Sequence, residues 1–450
     1  MKIFSKFYFK SFEFNQITKI AKFYYCFDND VFFVEEIDFN SEWFSVRDNI
    51  NIDIINNILF HLHIALWISY YKSFPTKELI IESGILDEYQ INFWKNFYIN
   101  WLWEFLYTNK ISPDWLFNFI NNSNTNYKKI DFNISDKALV PIWWWKDSIV
   151  SIELLKNRWI DFDCFTFWMK DNILYSNTSS IAWKNRLWVK RKISTQLIKL
   201  VDQWYYNWHV PITWLIAFVM EAVGYIYDYK YLVLSNEKSA NFWNTLWKWF
   251  NINHQYSKSL EFETDFKEYV EKYISSNVKY FSLLRWMYEI KIAEYFSKFW
   301  KEYFSKFSSC NNNFKIFNES NKIIEWQYWC NSCPKCAFVF SILRPYITND
   351  EVIDIFWEDL YEKKDLELLF RELLWISWIK PFECVWEVEE VICSMNNSLE
   401  KYDKTPFILN IFKKEVLIKF NNNDLDNIEK KLGKIYSDDI IPKEIKKLIF

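Results

Sequence analysis

The sequence predicts an α/β protein built on a doubly wound parallel sheet. Three observations carry this expectation. Short apolar runs of strand length recur at 138–142, 162–169 and 231–234. Helical stretches fall between them, at 148–156 and 214–222. The runs at 138–142 and 231–234 end in polar or tightly turning segments, and strand alternating with helix is the pattern of a parallel sheet with crossover helices.

In chain order, residues 1–125 read as an N-terminal domain of mixed, aromatic-rich character with a helix over 52–71. His61 and His63 lie on the apolar part of that helix and are expected to be structural. The polar run Asn121-Asn122-Ser123-Asn124-Thr125-Asn126 reads as a linker or surface loop. Residues 126–305 hold the strand–helix alternation, and 266–307, rich in Tyr, Phe, Lys and Glu, read as one or two helices. Residues 306–450 form a helical, Cys-containing region with a charged tail, and no internal repeat is present.

The 450 residues include 51% hydrophobic side chains, enough for sizeable cores and too many for a disordered chain. Lys and Arg number 54 against 58 Asp and Glu, a net charge of −4, which argues against a broad nucleic-acid binder. No unbroken apolar run reaches the roughly 18 residues of a spanning helix, and the first residues lack the apolar core of a signal peptide. The expectation is a cytoplasmic protein with no nucleic-acid and no membrane partner. One count is anomalous: there are 3 glycines and 27 tryptophans, which together match the roughly 30 glycines an average chain of this length carries. Many of the tryptophans are therefore expected to stand at glycine positions, as they would if UGA codons read as glycine by the source organism had been translated as tryptophan. The richness in Asn, Lys, Ile, Phe and Tyr fits the AT-rich genome in which such codons are favoured.

Trp143-Trp144-Trp145-Lys146-Asp147-Ser148 joins a predicted strand to a predicted helix. Read with glycines it becomes GGGKDS, a loop whose backbone N–H groups can approach phosphate oxygens at a helix N-terminus. Lys146 would neutralise phosphate charge and Asp147 would hold Mg²⁺. The loop resembles that of the enzymes that cleave ATP to AMP and pyrophosphate, the ATP pyrophosphatase (PP-loop) type, and lacks the spacing of a Walker loop. Ser235 and Glu237 belong to a polar segment at the C-terminal end of a predicted strand, where open α/β sheets bind ligands. His209 precedes a predicted helix and His254 sits in a polar loop, so either can serve as acid or base. Cys330, Cys333 and Cys336 fall within seven residues, with Cys310 upstream, a set able to close a tetrahedral zinc site. One of these thiols, Cys336, is alternatively an acid/base group. Cys26, Cys164, Cys384 and Cys393 are expected in the core.

Taken in order, VPIWWWKDSIVSIELL (140–155), WHVPIT (208–213), LSNEKSA (234–240), NHQYSKSLEFE (253–263), CNSCPKCAFVF (330–340) and KPFECVWE (380–387) resemble the UDP-N-acetylmuramoyl-L-alanyl-L-glutamate epimerase family of peptidoglycan synthesis. The likeness spans about residues 130–395 and departs from the family at the glycine positions, which are Trp here. It implies an ATP-dependent isomerase that inverts the terminal L-glutamate of UDP-MurNAc-L-Ala-L-Glu and releases AMP and pyrophosphate, with ATP and Mg²⁺ at the 143–148 loop. The family motifs assign no base; His254, His209 and Cys336 are the candidates. Two other readings stand beside it. One is an amidotransferase or thiolation enzyme that adenylates its substrate on the same scaffold. The other is a non-catalytic, aromatic-rich binding protein, which requires the tryptophans to be genuine.

Overall fold

The computed structural model describes residues 2–41, 43–112, 116–142, 145–158, 160–207, 210, 212–242, 245–247, 250–253, 255–312, 328–376 and 387–449. Twelve strands are present among them: β1 Lys6–Asn15, β2 Ile20–Phe27, β3 Val31–Asp38, β4 Glu78–Ile81, β5 Asn118–Asn121, β6 Ala138–Pro141, β7 Phe162–Trp168, β8 Arg186–Lys192, β9 Tyr231–Leu234, β10 Thr245–Trp247, β11 Phe250–Ile252 and β12 Lys279–Ser282. Ten of them form one sheet in the order β12-β9-β6-β7-β8-β3-β2-β1-β4-β5, and β10 and β11 make a separate hairpin.

The half of the sheet from β12 to β8 is wholly parallel. Its order relative to the chain is that of a doubly wound fold: the chain moves outward from β6 through β7 to β8, then returns to place β9 and β12 on the other side of β6. The strands here are buried on both faces, which parallel sheets require. On β6, Ala138 and Val140 enter one core and Leu139 the other; on β9, Tyr231 and Val233 oppose Leu232 and Leu234. Helices Ile52–Leu66, Ile212–Tyr227 and Leu260–Tyr273 cover the face of Leu139, Leu232 and Leu234, and Lys146–Asn157, Ile173–Ala182, Glu289–Phe299 and Pro334–Leu343 cover the face of Ala138 and Val140. The stretch Ile52–Tyr71 is long and apolar enough to cross a membrane, with mean hydropathy 1.4, yet 83% of it is buried inside the fold.

One expectation needs correction. The segment 266–307 is not all helix: β12 lies inside it, pairing in parallel with β9 from Lys279↔Tyr231 to Ser282↔Leu234. Four residues are too few to show a period, and their partners are distant in sequence. The N-terminal region is also strand-rich: β1, β2 and β3 form an antiparallel meander that joins the parallel half through β3 and β8. The helix expected over 52–71 is present but breaks at Trp67. His61 and His63 are buried, the first bonded to the Tyr269 hydroxyl and the second to Ser83 Oγ. Burial pushes both imidazoles down to about 3, so they are neutral structural groups. Cys26, Cys164 and Cys393 are buried as expected, and Cys384 lies outside the described residues.

The backbone bears directly on the glycine count. Trp183, Trp204, Trp357 and Trp375 have φ of 56°, 68°, 67° and 57°, and they are four of eleven non-glycine residues with positive φ among the described residues, in a chain where 27 of 450 residues are Trp. Trp183 and Trp357 follow directly on a helix end and Trp204 and Trp375 come one residue later, positions where a left-handed residue closes the last turn and glycine is the usual occupant. Their indoles are exposed, by 88% at Trp183 and 89% at Trp204. Trp94 behaves differently, fully buried and donating from Nε1 to the Tyr269 hydroxyl at 3.1 Å. Removing the strained Cβ in Trp183→Gly or Trp357→Gly should raise stability by about 1 kcal/mol each. Trp94→Gly should lower it by about 3–5 kcal/mol. Urea midpoints of the three variants check this, and a loss of stability at positions 183 and 357 would show that the indoles belong there.

A second measurement concerns Glu221, whose carboxylate is buried within the helix Ile212–Tyr227 with no hydrogen-bond partner among the described residues. Burial raises its pKa to about 8. A pKa raised in the folded state means that stability is full below the unfolded value near 4.5 and is lost as pH rises through 8. Glu221→Gln should therefore stabilise the protein by about 2–4 kcal/mol at pH 8 and little at pH 4.5, read from thermal midpoints across that range.

Candidate active site

The C-terminal ends of β6, β9 and β12 lie side by side at the point where the strand order reverses, the place at which doubly wound sheets bind ligands. Trp143 and Trp144 lie outside the described residues. Trp145 has extended backbone (φ −82°, ψ 146°) and caps the helix Lys146–Asn157, whose first-turn N–H groups face the crevice end of β6. Ser148 Oγ donates to the Trp145 carbonyl at 2.9 Å and fixes the turn.

Lys146, Asp147 and Ser148 are all buried, Lys146 to 1% exposure. The Lys146 ammonium lies 2.6 Å from Asp147 Oδ1 and 2.6 Å from Glu289 Oε1. Glu289 enters from the loop after β12, at the start of the helix Glu289–Phe299. Burial works against the Lys146 charge, but Asp147 and Glu289 outweigh it and hold the amine protonated. One ammonium serves two carboxylates, and they divide. Asp147 falls below the usual range because Lys146, Lys335 and Lys258 more than offset its burial. Glu289 rises well above it, through burial and the proximity of Asp147.

From β9, Ser235 and Glu237 reach the same place. Ser235 Oγ is buried with no partner among the described residues, and Glu237 is 3% exposed. Arg285, fully buried in the loop after β12, ties three segments together. It donates to the Glu237 carbonyl at 2.6 Å, to the Lys258 carbonyl at 2.7 Å and to Glu263 Oε2 at 2.7 Å. Glu263 in turn accepts from the Ser282 N–H at 3.0 Å, locking the end of β12. Below these loops, Glu390 accepts from the Ile290 N–H at 3.1 Å, and burial raises its carboxyl to about 8.

The four cysteines meet. The sulfurs of Cys310, Cys330, Cys333 and Cys336 all lie within 4.8 Å of one another, with Cys333–Cys336 at 3.4 Å and Cys330–Cys336 at 3.7 Å. Four thiolates around a tetrahedral zinc at about 2.3 Å would sit at similar separations, so the group is able to hold a metal ion. Cys333 caps the helix Pro334–Leu343 and accepts from the Cys336 N–H, so the cluster fixes that helix start. Lys335, between two of the sulfurs, is 1% exposed with its Nζ 3.9 Å from Glu289 Oε1.

His209 and His254 lie outside the described residues. An open cleft of about 520 Å³ begins beside Asn253 and is lined by polar groups including Asn241, Ser259 and Asp265, whose carboxyl burial raises to about 6. Sequence reading missed Glu289 and Arg285, and left Lys258, Glu263 and Lys335 unassigned inside motifs it had singled out. Mistaking β12 for helix hid the strand end from which Arg285 and Glu289 emerge.

The buried triad yields a test. Lys146→Met removes the counter-charge 2.6 Å from both Asp147 and Glu289, leaving only the more distant Lys335 and Lys258, and should cost about 3–5 kcal/mol of stability. Adding Glu289→Gln should recover part of that loss. Urea unfolding of the single and double variants measures both, and strictly additive losses would show that the two groups are not coupled.

Comparison with known proteins matches this architecture along most of its length. A family model described as the MurL N-terminal domain covers residues 1–283, and one described as the MurL C-terminal domain covers residues 306–422. A UDP-N-acetyl-alpha-D-muramoyl-L-alanyl-L-glutamate epimerase of Xanthomonas oryzae pv. oryzae is 28% identical over 409 residues, 91% of this chain and 89% of the relative. Proteins of the same name from Micromonospora sp. and Salinispora tropica are each 29% identical over 343 residues, 76% of this chain and 74% and 73% of their own lengths. The chain belongs to the MurL family.

Proposed function

We propose that this chain is an ATP-dependent epimerase that converts the terminal L-glutamate of UDP-MurNAc-L-Ala-L-Glu to D-glutamate, in the cytoplasmic synthesis of peptidoglycan precursors. The observation that carries the reading is likeness across 91% of the chain to a relative named for that reaction. Residues 126–305 supply a nucleotide site of the PP-loop type, and the Cys-containing region after 306 braces it.

The chemistry explains why a nucleotide is needed. A Cα–H next to an ionised carboxylate is a very poor acid, because its removal puts a second negative charge beside the first. The glutamate α-carboxylate oxygen attacks the α-phosphorus of ATP, the bond to the leaving pyrophosphate breaks, and a mixed anhydride with AMP forms. Its carbonyl now accepts the electron pair left when a base removes the Cα proton, and reprotonation from the other face inverts the centre. Water then cleaves the anhydride to the D-glutamate carboxylate and AMP.

Lys146, Ser148 and the helix N-terminus at 146 suit the phosphates. Asp147 and Glu237 both oppose ionisation of Glu289, and such a group of carboxylates is a donor set that suits Mg²⁺. Bound there, Mg²⁺ would neutralise and orient phosphate oxygens. A closed four-sulfur site suits structural zinc, which would staple the segment at Cys310 to the start of the helix Pro334–Leu343. With Cys336 committed to that metal, His254 and His209 remain as candidate bases. Among the described residues the indole of Trp145 occupies the mouth of the loop, so glycine at 143–145 is part of the proposal.

The test incubates the chain carrying Trp143→Gly, Trp144→Gly and Trp145→Gly with UDP-MurNAc-L-Ala-L-Glu, ATP and Mg²⁺, with the unaltered chain in parallel. AMP and D-glutamate from the glycine chain alone are expected. AMP without inversion would favour another adenylating enzyme, and no turnover from either would sink the epimerase. Zinc should co-purify stoichiometrically, and its removal by a chelator or Cys310→Ser should lower the thermal midpoint.

A further inference from the structure

Two lysines from different parts of the fold approach the ring of Trp145. Lys335 Nζ lies 5.1 Å from the ring centroid of Trp145, and Lys258 Nζ lies 4.2 Å from it. Each is held by its own anchor. Lys335 rides on the first turn of the helix Pro334–Leu343, between Cys333 and Cys336, so the sulfur cluster fixes its backbone. Lys258 precedes the helix Leu260–Tyr273, and its carbonyl accepts from Arg285, which is itself paired with the buried Glu263. Lys335 is buried and Lys258 half-buried, and an ammonium taken out of water needs compensation. Both lysines act on Asp147 and Lys335 lies 3.9 Å from Glu289 Oε1, and beyond these carboxylates the two charges meet at the ring of Trp145.

That side chain is not a residue the loop chemistry calls for. A planar ring between two ammonium groups is the closest substitute an aromatic residue offers for an anion, its face carrying the negative part of the quadrupole. With glycine at 145 the same space is open, lined by two cations and by the first turn of the helix Lys146–Asn157. We infer that Lys258 and Lys335 are a pair of phosphate-binding cations that grip the polyphosphate of the nucleotide from two sides of the loop, and that the Trp145 indole stands where a phosphate sits when residue 145 is glycine. The inference rests on the nucleotide reading above and adds the residues that hold the ligand. It also gives the cysteine cluster a role at the site, since the metal would set the position of Lys335.

The experiment uses the full chain with Trp143→Gly, Trp144→Gly and Trp145→Gly as parent. Binding of a non-hydrolysable ATP analogue with Mg²⁺, and of adenosine, is measured by calorimetry at low and high salt. Lys258→Ala and Lys335→Ala should each weaken the analogue by about tenfold or more, the worth of a hydrogen bond to a charged group, and leave adenosine unaffected. The difference should shrink at high salt, and Lys335→Arg should retain most of the affinity. Lys258→Gln and Lys335→Gln, which keep the stems, serve if the alanine variants unfold. A parent that binds the analogue while its lysine variants bind it equally well overturns the inference and spares the nucleotide reading. A parent that binds no analogue overturns both.

Discussion

Lys146 carries its charge in a place almost closed to water, and it stands there because Asp147 and Glu289 each approach its nitrogen to 2.6 Å. The three residues come from two elements that meet only if the sheet is correctly ordered: the helix after β6 and the helix after β12. An unpaired buried charge is so unfavourable that the pairing acts as a constraint on topology, requiring β12 to lie on the β9 side of β6. The same reasoning extends outward. Arg285 needs Glu263, and through it the loops ending β9 and β12 and the loop carrying Lys258 are tied into one body. The floor of the site is thus electrostatic, laid over cores that are apolar on both faces of the sheet.

How much of this could be read from the sequence follows the range of the forces involved. β9 was legible to its bounds because Tyr231-Leu232-Val233-Leu234 is a buried parallel strand, apolar on both faces and ended by polar residues. The strand–helix alternation after residue 138 was legible for the same reason. β1 to β3 were not, because their aromatic side chains are spread over both faces and blur the alternation that marks a half-buried strand. β12 was misread, since Lys279-Tyr280-Phe281-Ser282 gains its identity only from pairing with β9. The cysteine cluster was visible from spacing, including Cys310, which joins its partners across a gap of twenty residues. Glu289 was invisible: nothing local marks a glutamate whose partner is 143 positions earlier.

The tryptophans show a different kind of legibility. Composition identifies the anomaly but not the positions; the backbone identifies positions. Left-handed φ at four tryptophans, all at helix C-termini, is what a chain does when its path was set by glycine. Trp94, stacked on Phe218, and Trp214, tilted against Phe97 at 3.9 Å between centroids, mark the other class, where the buried indole is part of the packing. A side chain's surroundings therefore sort the two classes where counting cannot.

Trp145 belongs to neither class cleanly, and that is informative. Its backbone is extended, so no conformational strain marks it, and its indole is half-buried between Lys258 and Lys335. An indole can settle there because the ammonium groups of Lys258 and Lys335, held by separate anchors, lie 4.2 and 5.1 Å from its ring centroid. Those anchors, the Cys cluster and the Arg285–Glu263 pair, do not depend on what residue 145 is. The placing of the two lysines is accordingly independent of the side chain at 145, which under the proposed nucleotide reading decides whether their ammonium groups meet an indole or a ligand.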